Sequence, residues 1–407
     1  MSPFNMQCIR KFLQSVMCAV LLGLGLAPQA VPASNKKAVL LGLDAEFGLA
    51  NSASAQAIEM GMRIAITQIN QKGGVLDGRP LQLVTRDNRS IPARGVRNLT
   101  DFSVMPDLVA VFGGRFSPVI MEQIPLIHKI GMPFMVVWAS ADPLTDHGME
   151  PNYVFRLSLR DSLAMPRMLA HARSQGFSKV GLLLPNSTWG RSNLSAAEKN
   201  LKAHNADNMP QATHTVWYYQ EENSFVDHYL ELLHSGAQAI VLVANNTEAA
   251  ILVREIAALP DDQRLPIISH WGITGGDFLL QAGPAMDKVE LAVIQSFSFT
   301  QGHPAILPGF LQILAQLYDI HHIDRIPAPV GVAQAYDMTH IVARAIELAG
   351  STDRAAIRDA MERLPEYQGL IRLYKPPFTR TRHDALGPEQ LLMARYRKDG
   401  FLIPIKD

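Results

Sequence analysis

Cysteine is almost missing from this chain: Cys8 and Cys18 are its only two, and both fall at the N-terminal end. The remaining sequence can form no disulfide, thiolate nucleophile or cysteine-based metal site. An excess of either charge is missing too. Lys plus Arg and Asp plus Glu each total 37 of 407 residues, so no basic field exists to hold nucleic acid or an anionic lipid surface. Histidines number 13, but no His-Glu-x-x-His spacing occurs, and the adjacent His321 and His322 do not share a helix face. A Gly-x-Ser-x-Gly nucleophile elbow is absent, as are phosphate-loop and dinucleotide glycine patterns. Metal, cofactor and catalysis therefore gain no support, and no cofactor is expected.

Long apolar runs are also scarce. The one at Phe12 to Ala27 is shorter than the roughly 20 residues that span a bilayer, and Arg10 and Lys11 precede it. That layout, with Val31 and Ala33 as small residues before a cut, predicts a signal peptide over residues 1–33 and a mature chain starting near Ser34. Cys18 lies inside the apolar run, which is not the setting of a lipid-modified cysteine. Its removal with the leader leaves 35 basic against 37 acidic residues. An uncleaved anchor is the weaker alternative.

What the chain does have is a globular composition, 48% hydrophobic and 18% charged, in a repeating pattern. Short apolar runs such as Ala38 to Leu43, Leu81 to Val84 and Leu108 to Phe112 alternate with stretches of helical period, which predicts βα units and parallel sheet. Ile58, Met62, Ala65, Ile66 and Ile69 place one stripe on a helix that Gly73 and Gly74 stop. The pattern restarts after Tyr153 to Leu157, with strands predicted at 179–184, 213–219, 239–243, 266–271 and 291–297. Helices are then expected at 307–318, 330–348 and 355–364, and one or two strands in the tail at 391–405.

In an open α/β sheet, ligands bind beyond the carboxyl ends of the strands. Three of the four tryptophans lie there: Trp138 in Val137-Trp138-Ala139-Ser140, Trp189 in Ser187-Thr188-Trp189-Gly190, and Trp271 in Ser269-His270-Trp271-Gly272. Rigid aromatics with sparse polar groups suit a small-molecule site. Each tryptophan alone is equally a core residue; the three together favour binding.

An ordered set of short segments carries a family resemblance. It comprises Gly73-Gly74-Val75-Leu76-Asp77-Gly78 after a helix, Arg86-Asp87, Phe112-Gly113-Gly114 leading to Ser117, Ala139-Ser140-Ala141-Asp142-Pro143-Leu144-Thr145, Phe155-Arg156 and Tyr336-Asp337. Over residues 38–350 the chain resembles the type I periplasmic solute-binding proteins, in the branch of the Leu/Ile/Val-binding proteins of ABC importers. The resemblance implies an α/β fold of two lobes, each a mostly parallel sheet flanked by helices, joined by about three crossovers. The first lobe would take 38–157 and about 298–350, and the second 158–297 and about 351–407. It also implies a periplasmic protein that closes on a small organic ligand and hands it to importer membrane subunits. Ser117 and the backbone of Ala139 and Ala141, with Ser140 between them, would meet a ligand carboxylate. Asp161 would lie near the first crossover, and Trp189 would form an aromatic wall.

Two departures shape the expected ligand. The loop Ser269-His270-Trp271-Gly272 lacks the acidic residue that pairs an amino-acid ammonium, and Asn245 and Asn246 stand where the family places an aromatic. A carboxylate or amide without an α-ammonium is therefore expected, because a buried ammonium needs a counter-charge. Two residues have a structural alternative: Ser117 and Asp161 as helix caps. Arg115 reads as a solvated loop charge, with contact to an anion as the alternative. A periplasmic sensor for a membrane signalling protein is the alternative within binding, and an exported amidase or hydrolase using Asp161 or His270 is the alternative outside it.

Overall fold

The computed structural model describes residues 36–50, 52–203 and 209–406. The expected leader, residues 1–33, lies outside them. In the first lobe, β1 (Val39–Ala45), α1 (Ser54–Gln71), β2 (Leu81–Asp87), α2 (Pro92–Ser103), β3 (Leu108–Gly113), α3 (Ser117–Lys129), β4 (Phe134–Val136) and β5 (Val154–Arg156) follow in strict alternation up to β4. The strands pair in parallel in the order β2-β1-β3-β4-β5. β3 is buried along its whole length, as a parallel strand covered by helices on both faces must be. α1 ends where Gly73 and Gly74 take φ of +106° and +78°, a region that costs glycine little.

The second lobe follows the same plan. α4 (Asp161–Ser174) leads to β6 (Lys179–Pro185), α5 (Thr188–Ala203), β7 (Gln211–Tyr218), α6 (Val226–His234), β8 (Ala239–Leu242), α7 (Asn246–Ala258), β9 (Ile267–Ser269), α8 (Phe278–Ala282) and β10 (Leu291–Gln295). Its sheet runs β14-β13-β10-β9-β8-β6-β7, where β13 (Leu392–Tyr396) and β14 (Leu402–Pro404) come from the tail. The tail strands are the antiparallel members.

Between β10 and the tail the chain returns to the first lobe. α9 (Leu307–Tyr318) and α10 (Pro329–Ala349) pack on α1, and α11 (Arg354–Met361) packs on α10 and β3. The two-stranded ribbon of β11 (Tyr367–Gln368) and β12 (Leu373–Tyr374) hangs from Asp337 of α10. That carboxylate accepts from the N–H of Leu370 at 2.7 Å and of Ile371 at 3.0 Å, and from the Tyr374 hydroxyl at 2.8 Å. From sequence, the return to the second lobe is expected at about residue 351. Residues 354–384 stay with the first lobe, since Arg156 of β5 bridges to Asp384, and the crossing comes just before β13. The reason is local: Asp337 and the β5 edge offer partners that no apolar period in the sequence advertises.

Candidate functional site

The loops that follow β3, β4, β6, β7, β8 and β9 face one another at the seam between the two sheets. In the first lobe, Gly114-Arg115-Phe116 turns the chain from β3 into α3, which opens with Ser117 and Pro118. Ser117 is therefore not a cap: it is the first helical residue, and its Oγ accepts the Ala141 N–H at 3.3 Å. This bond ties the loop after β4 to α3.

Arg156 fixes the same loop from beneath. Its guanidinium is fully buried and donates to the carbonyls of Ser140 at 3.1 Å and Ala141 at 2.8 Å and to Thr145 Oγ1 at 2.7 Å. The counter-charge is Asp384, which also meets Arg160 Nη1 at 3.1 Å. Burial alone would raise the Asp384 pKa, but the charges of Arg156 and Arg160 outweigh it and hold the carboxyl below its usual range.

The tryptophans come to this seam from both sides. Trp138, following β4, and Trp271, following β9, are both 1% exposed, with ring centroids 6.1 Å apart and planes tilted by 50°. Trp138 fits because residue 331, in the first turn of α10, has no side chain; a Cβ there would stand 2.3 Å from Trp138 Cζ3. Trp189 begins α5 and lies over Gly272, whose Cβ would come within 2.7 Å of Trp189 Cη2. His270 meets the Trp189 ring edge-on at 5.0 Å. The Trp189 Nε1 is buried with no acceptor among the described residues.

Arg115, Ser117, Trp138 and Ser140 of the first lobe and Trp189, Asn245 and Trp271 of the second line one cavity, completed by Tyr218, Gln220 and Gly272 among others. As the lobes stand it measures about 40 Å³, room for a few waters. Among the described residues, no carboxylate lines it.

Of the residues picked from sequence, Ser117, Trp138, Ser140, Trp189, Asn245 and Trp271 come together here. Ala139, Ala141 and Asp161 do not line the cavity. The two alanines pack into the core of the first lobe, and the Ala141 N–H is already taken by Ser117. Asp161 opens α4 but is fully buried, and among the described residues its oxygens make no hydrogen bond, so it caps none of them. His270 Nε2 comes within 3.2 Å of Asp161 Oδ1 without the alignment of a hydrogen bond.

Arg115 is the main residue the sequence misplaced. Its side chain is 4% exposed, not solvated, with Glu46 Oε1 3.9 Å away and the Phe116 ring 4.8 Å from its Cζ. Its Nη1 donates to Asn246 Oδ1 of the second lobe at 3.0 Å. Burial raises the pKa of nearby Glu248, and Arg115 opposes that shift. The Gly-Gly before Arg115 was visible in sequence, but nothing there revealed the carboxylates and amide awaiting it.

The comparisons with known proteins agree with this architecture. A family model described as "Periplasmic binding protein" matches residues 40–400. No curated protein matches the sequence. A type 1 periplasmic binding protein from Bordetella pertussis Tohama I superposes with a TM-score of 0.81 at 20% identity, over 91% of this chain and 100% of that one. LivJ, a branched-chain amino acid transporter substrate-binding protein of Streptococcus pneumoniae solved with isoleucine, gives 0.76 at 20% identity over 91% and 100%. A solute-binding protein of an ABC transporter from R. palustris, solved with benzoate, gives 0.72 at 18% identity over 90% and 95%.

Proposed function

The chain belongs to the periplasmic binding protein family, and from that premise we propose that it captures a small organic carboxylate between its lobes and delivers it to the membrane subunits of an ABC importer. The observation that carries this reading is the lining of the cavity: three tryptophans, the hydroxyls of Ser117 and Ser140 and, among the described residues, an unsatisfied indole N–H and no carboxylate. Indole faces favour a flat or apolar body. Hydroxyl and N–H donors favour an acceptor group. An α-ammonium would enter without a counter-charge, which is costly in a site closed to water.

The cavity is too small for such a ligand while the lobes are pressed together. Binding therefore requires them to part and reclose, and ligand held by both lobes shifts the population toward a closed form that a membrane partner can recognise. Export by the leader at residues 1–33 would place the protein in the periplasm, where that partner is reached. Asp161 and His270, the residues a hydrolase reading would use, are not among those that line the cavity.

A thermal-shift screen of organic acids, amides and amino acids tests the reading, since a ligand at a hundred times its Kd stabilises by about 2.7 kcal/mol. Aromatic or apolar carboxylates such as benzoate should raise the melting temperature. Stabilisation by amino acids alone would refute the proposed ligand class. Uptake of the stabilising acid by cells with and without the gene then tests delivery.

A further inference from the structure

Arg115 belongs to the first lobe by sequence, yet its guanidinium is lodged in the second. Nη1 donates to Asn246 Oδ1, at the start of α7, at 3.0 Å. The same nitrogen lies so close to Gly275 that a Cβ there would be 2.1 Å from it, so the group rests on bare backbone. Burial disfavours its charge and holds its pKa below the usual arginine range, while Glu46 on its own lobe and Glu248 on the other oppose that shift. Beside it, the Ala53 N–H donates to the Gly275 carbonyl at 2.8 Å, and Ser52 and Gly276 form an isolated β-bridge. One residue thus crosses the seam with a charge, an amide partner and a seat on bare backbone, while its Nε finds no acceptor among the described residues.

We propose that Arg115 is a closure pin: it sets how readily the lobes part, and so tunes the apparent affinity for every ligand without choosing among them. The physical basis is that parting the lobes exchanges Asn246, Gly275 and Glu248 around the guanidinium for water all at once. Glu46, 3.9 Å from it, remains as a poor substitute. A charged hydrogen bond that exists in one of two states biases the equilibrium toward that state. The pressed-together form has no room for ligand, so every ligand must first part it, and the pin lowers apparent affinity by a factor common to all ligands. A residue that contacted the ligand instead would discriminate by ligand charge. The proposal rests on the reading that the lobes open and close around a ligand.

Residues 36–407 contain no cysteine, so spin labels can be placed at Arg97→Cys on α2 and Lys199→Cys on α5, both exposed. Electron–electron distance measurement without ligand reads the lobe separation directly. With Arg115 intact a short separation should dominate. Arg115→Ala should shift the closed-to-open ratio by at least about tenfold, the effect of one charged hydrogen bond. Asn246→Ala, which removes the acceptor from the other lobe and leaves Arg115 in place, should shift it the same way, so the result does not depend on one variant folding. An unchanged distance distribution in Arg115→Ala overturns the pin. Adding benzoate to the labelled Arg115→Ala protein, in which the open form is populated, tests closure on ligand separately. Titration of benzoate and benzamide should show the same fold-gain in affinity in Arg115→Ala. A loss confined to benzoate would mean that Arg115 is a ligand contact and would also overturn the proposal.

Discussion

Trp138 and Trp271 face each other across the seam at 6.1 Å, although one follows a strand of the first sheet and the other a strand of the second. Any movement of one lobe against the other alters this pair, so intrinsic fluorescence reports lobe opening without a label. Trp189 sits beside it on α5. Trp189→Ala should weaken ligand binding by about 2 kcal/mol, the loss typical of a buried aromatic anchor, with circular dichroism unchanged. Equal binding by that variant would remove Trp189 from the site.

Gly331 is far from the cavity in sequence but decides the position of its floor. Gly331→Ala drives a methyl group into the Trp138 ring and should cost about 1–3 kcal/mol of stability, as overpacking does. It should also reduce ligand affinity by displacing Trp138. Trp138→Leu in the same chain should restore the stability. If the double variant is no more stable than Gly331→Ala alone, the clash is absorbed elsewhere.

Much of the architecture was legible because it is periodic. Runs such as Leu108 to Phe112 and the stripe from Ile58 to Ile69 carry their own period, so strands and helices were located to within a few residues, and the tryptophans at strand ends pointed to the seam. What stayed hidden depends on single long-range polar bonds. Asp337 holding the β11–β12 ribbon and Asp384 holding Arg156 keep residues 354–384 with the first lobe, and neither carboxylate stands out in a linear chain. Arg115 was misread for the same reason: a charge in a glycine-rich loop looks solvated until its partners on the other lobe are seen. Ala139 and Ala141 lie in the loop after β4, and the Ser117–Ala141 bond uses one of that loop's donors.

Asp384 makes a prediction about acid. Its folded-state pKa is held below that of an unfolded carboxyl, near 3.9, so its contribution to stability is present above that value and is lost as pH falls through the folded-state pKa. At pH 7 Asp384→Asn should cost about 3 kcal/mol, since it leaves the buried Arg156 charge without its partner. The gap between the two proteins should narrow below about pH 4. Denaturant unfolding at a series of pH values measures it, and a gap independent of pH would assign the loss to packing instead.

Asp44, at the end of β1, has the opposite sign. Burial pushes its pKa up to about 7, with Glu46 adding to the rise, against hydrogen bonds from Asn98, Asn88 and Gln123. The folded chain therefore keeps this proton to about pH 7, whereas the unfolded chain releases it near 3.9. Between those values the folded state binds more protons, and stability falls as pH rises. Asp44→Asn should remove that slope, so the variant gains on the unmodified protein in melting temperature as pH moves from about 4 to about 7. Parallel melting curves would show that Asp44 ionises at an ordinary pH in the fold.

The ligand class is the sharpest test of the site. Because no carboxylate lines the cavity among the described residues, an α-ammonium would have to rely on the indole faces. A tryptophan cage contributes about 2 kcal/mol when desolvated, less than the several kcal/mol that stripping water from an ammonium costs. A deamino acid bears only the carboxylate, which Ser117, Ser140 and the Trp189 N–H can meet with donors. Calorimetry with matched pairs separates the cases: 3-phenylpropionate against phenylalanine, and 4-methylpentanoate against leucine. In each pair the deamino acid should bind and its amino counterpart should bind at least about a hundredfold more weakly, a difference of roughly 2.7 kcal/mol. Tight binding of leucine or phenylalanine with no binding of the deamino acids would mean that Glu46 or Glu248 reaches the ligand once the lobes part, and the ligand class would have to be abandoned.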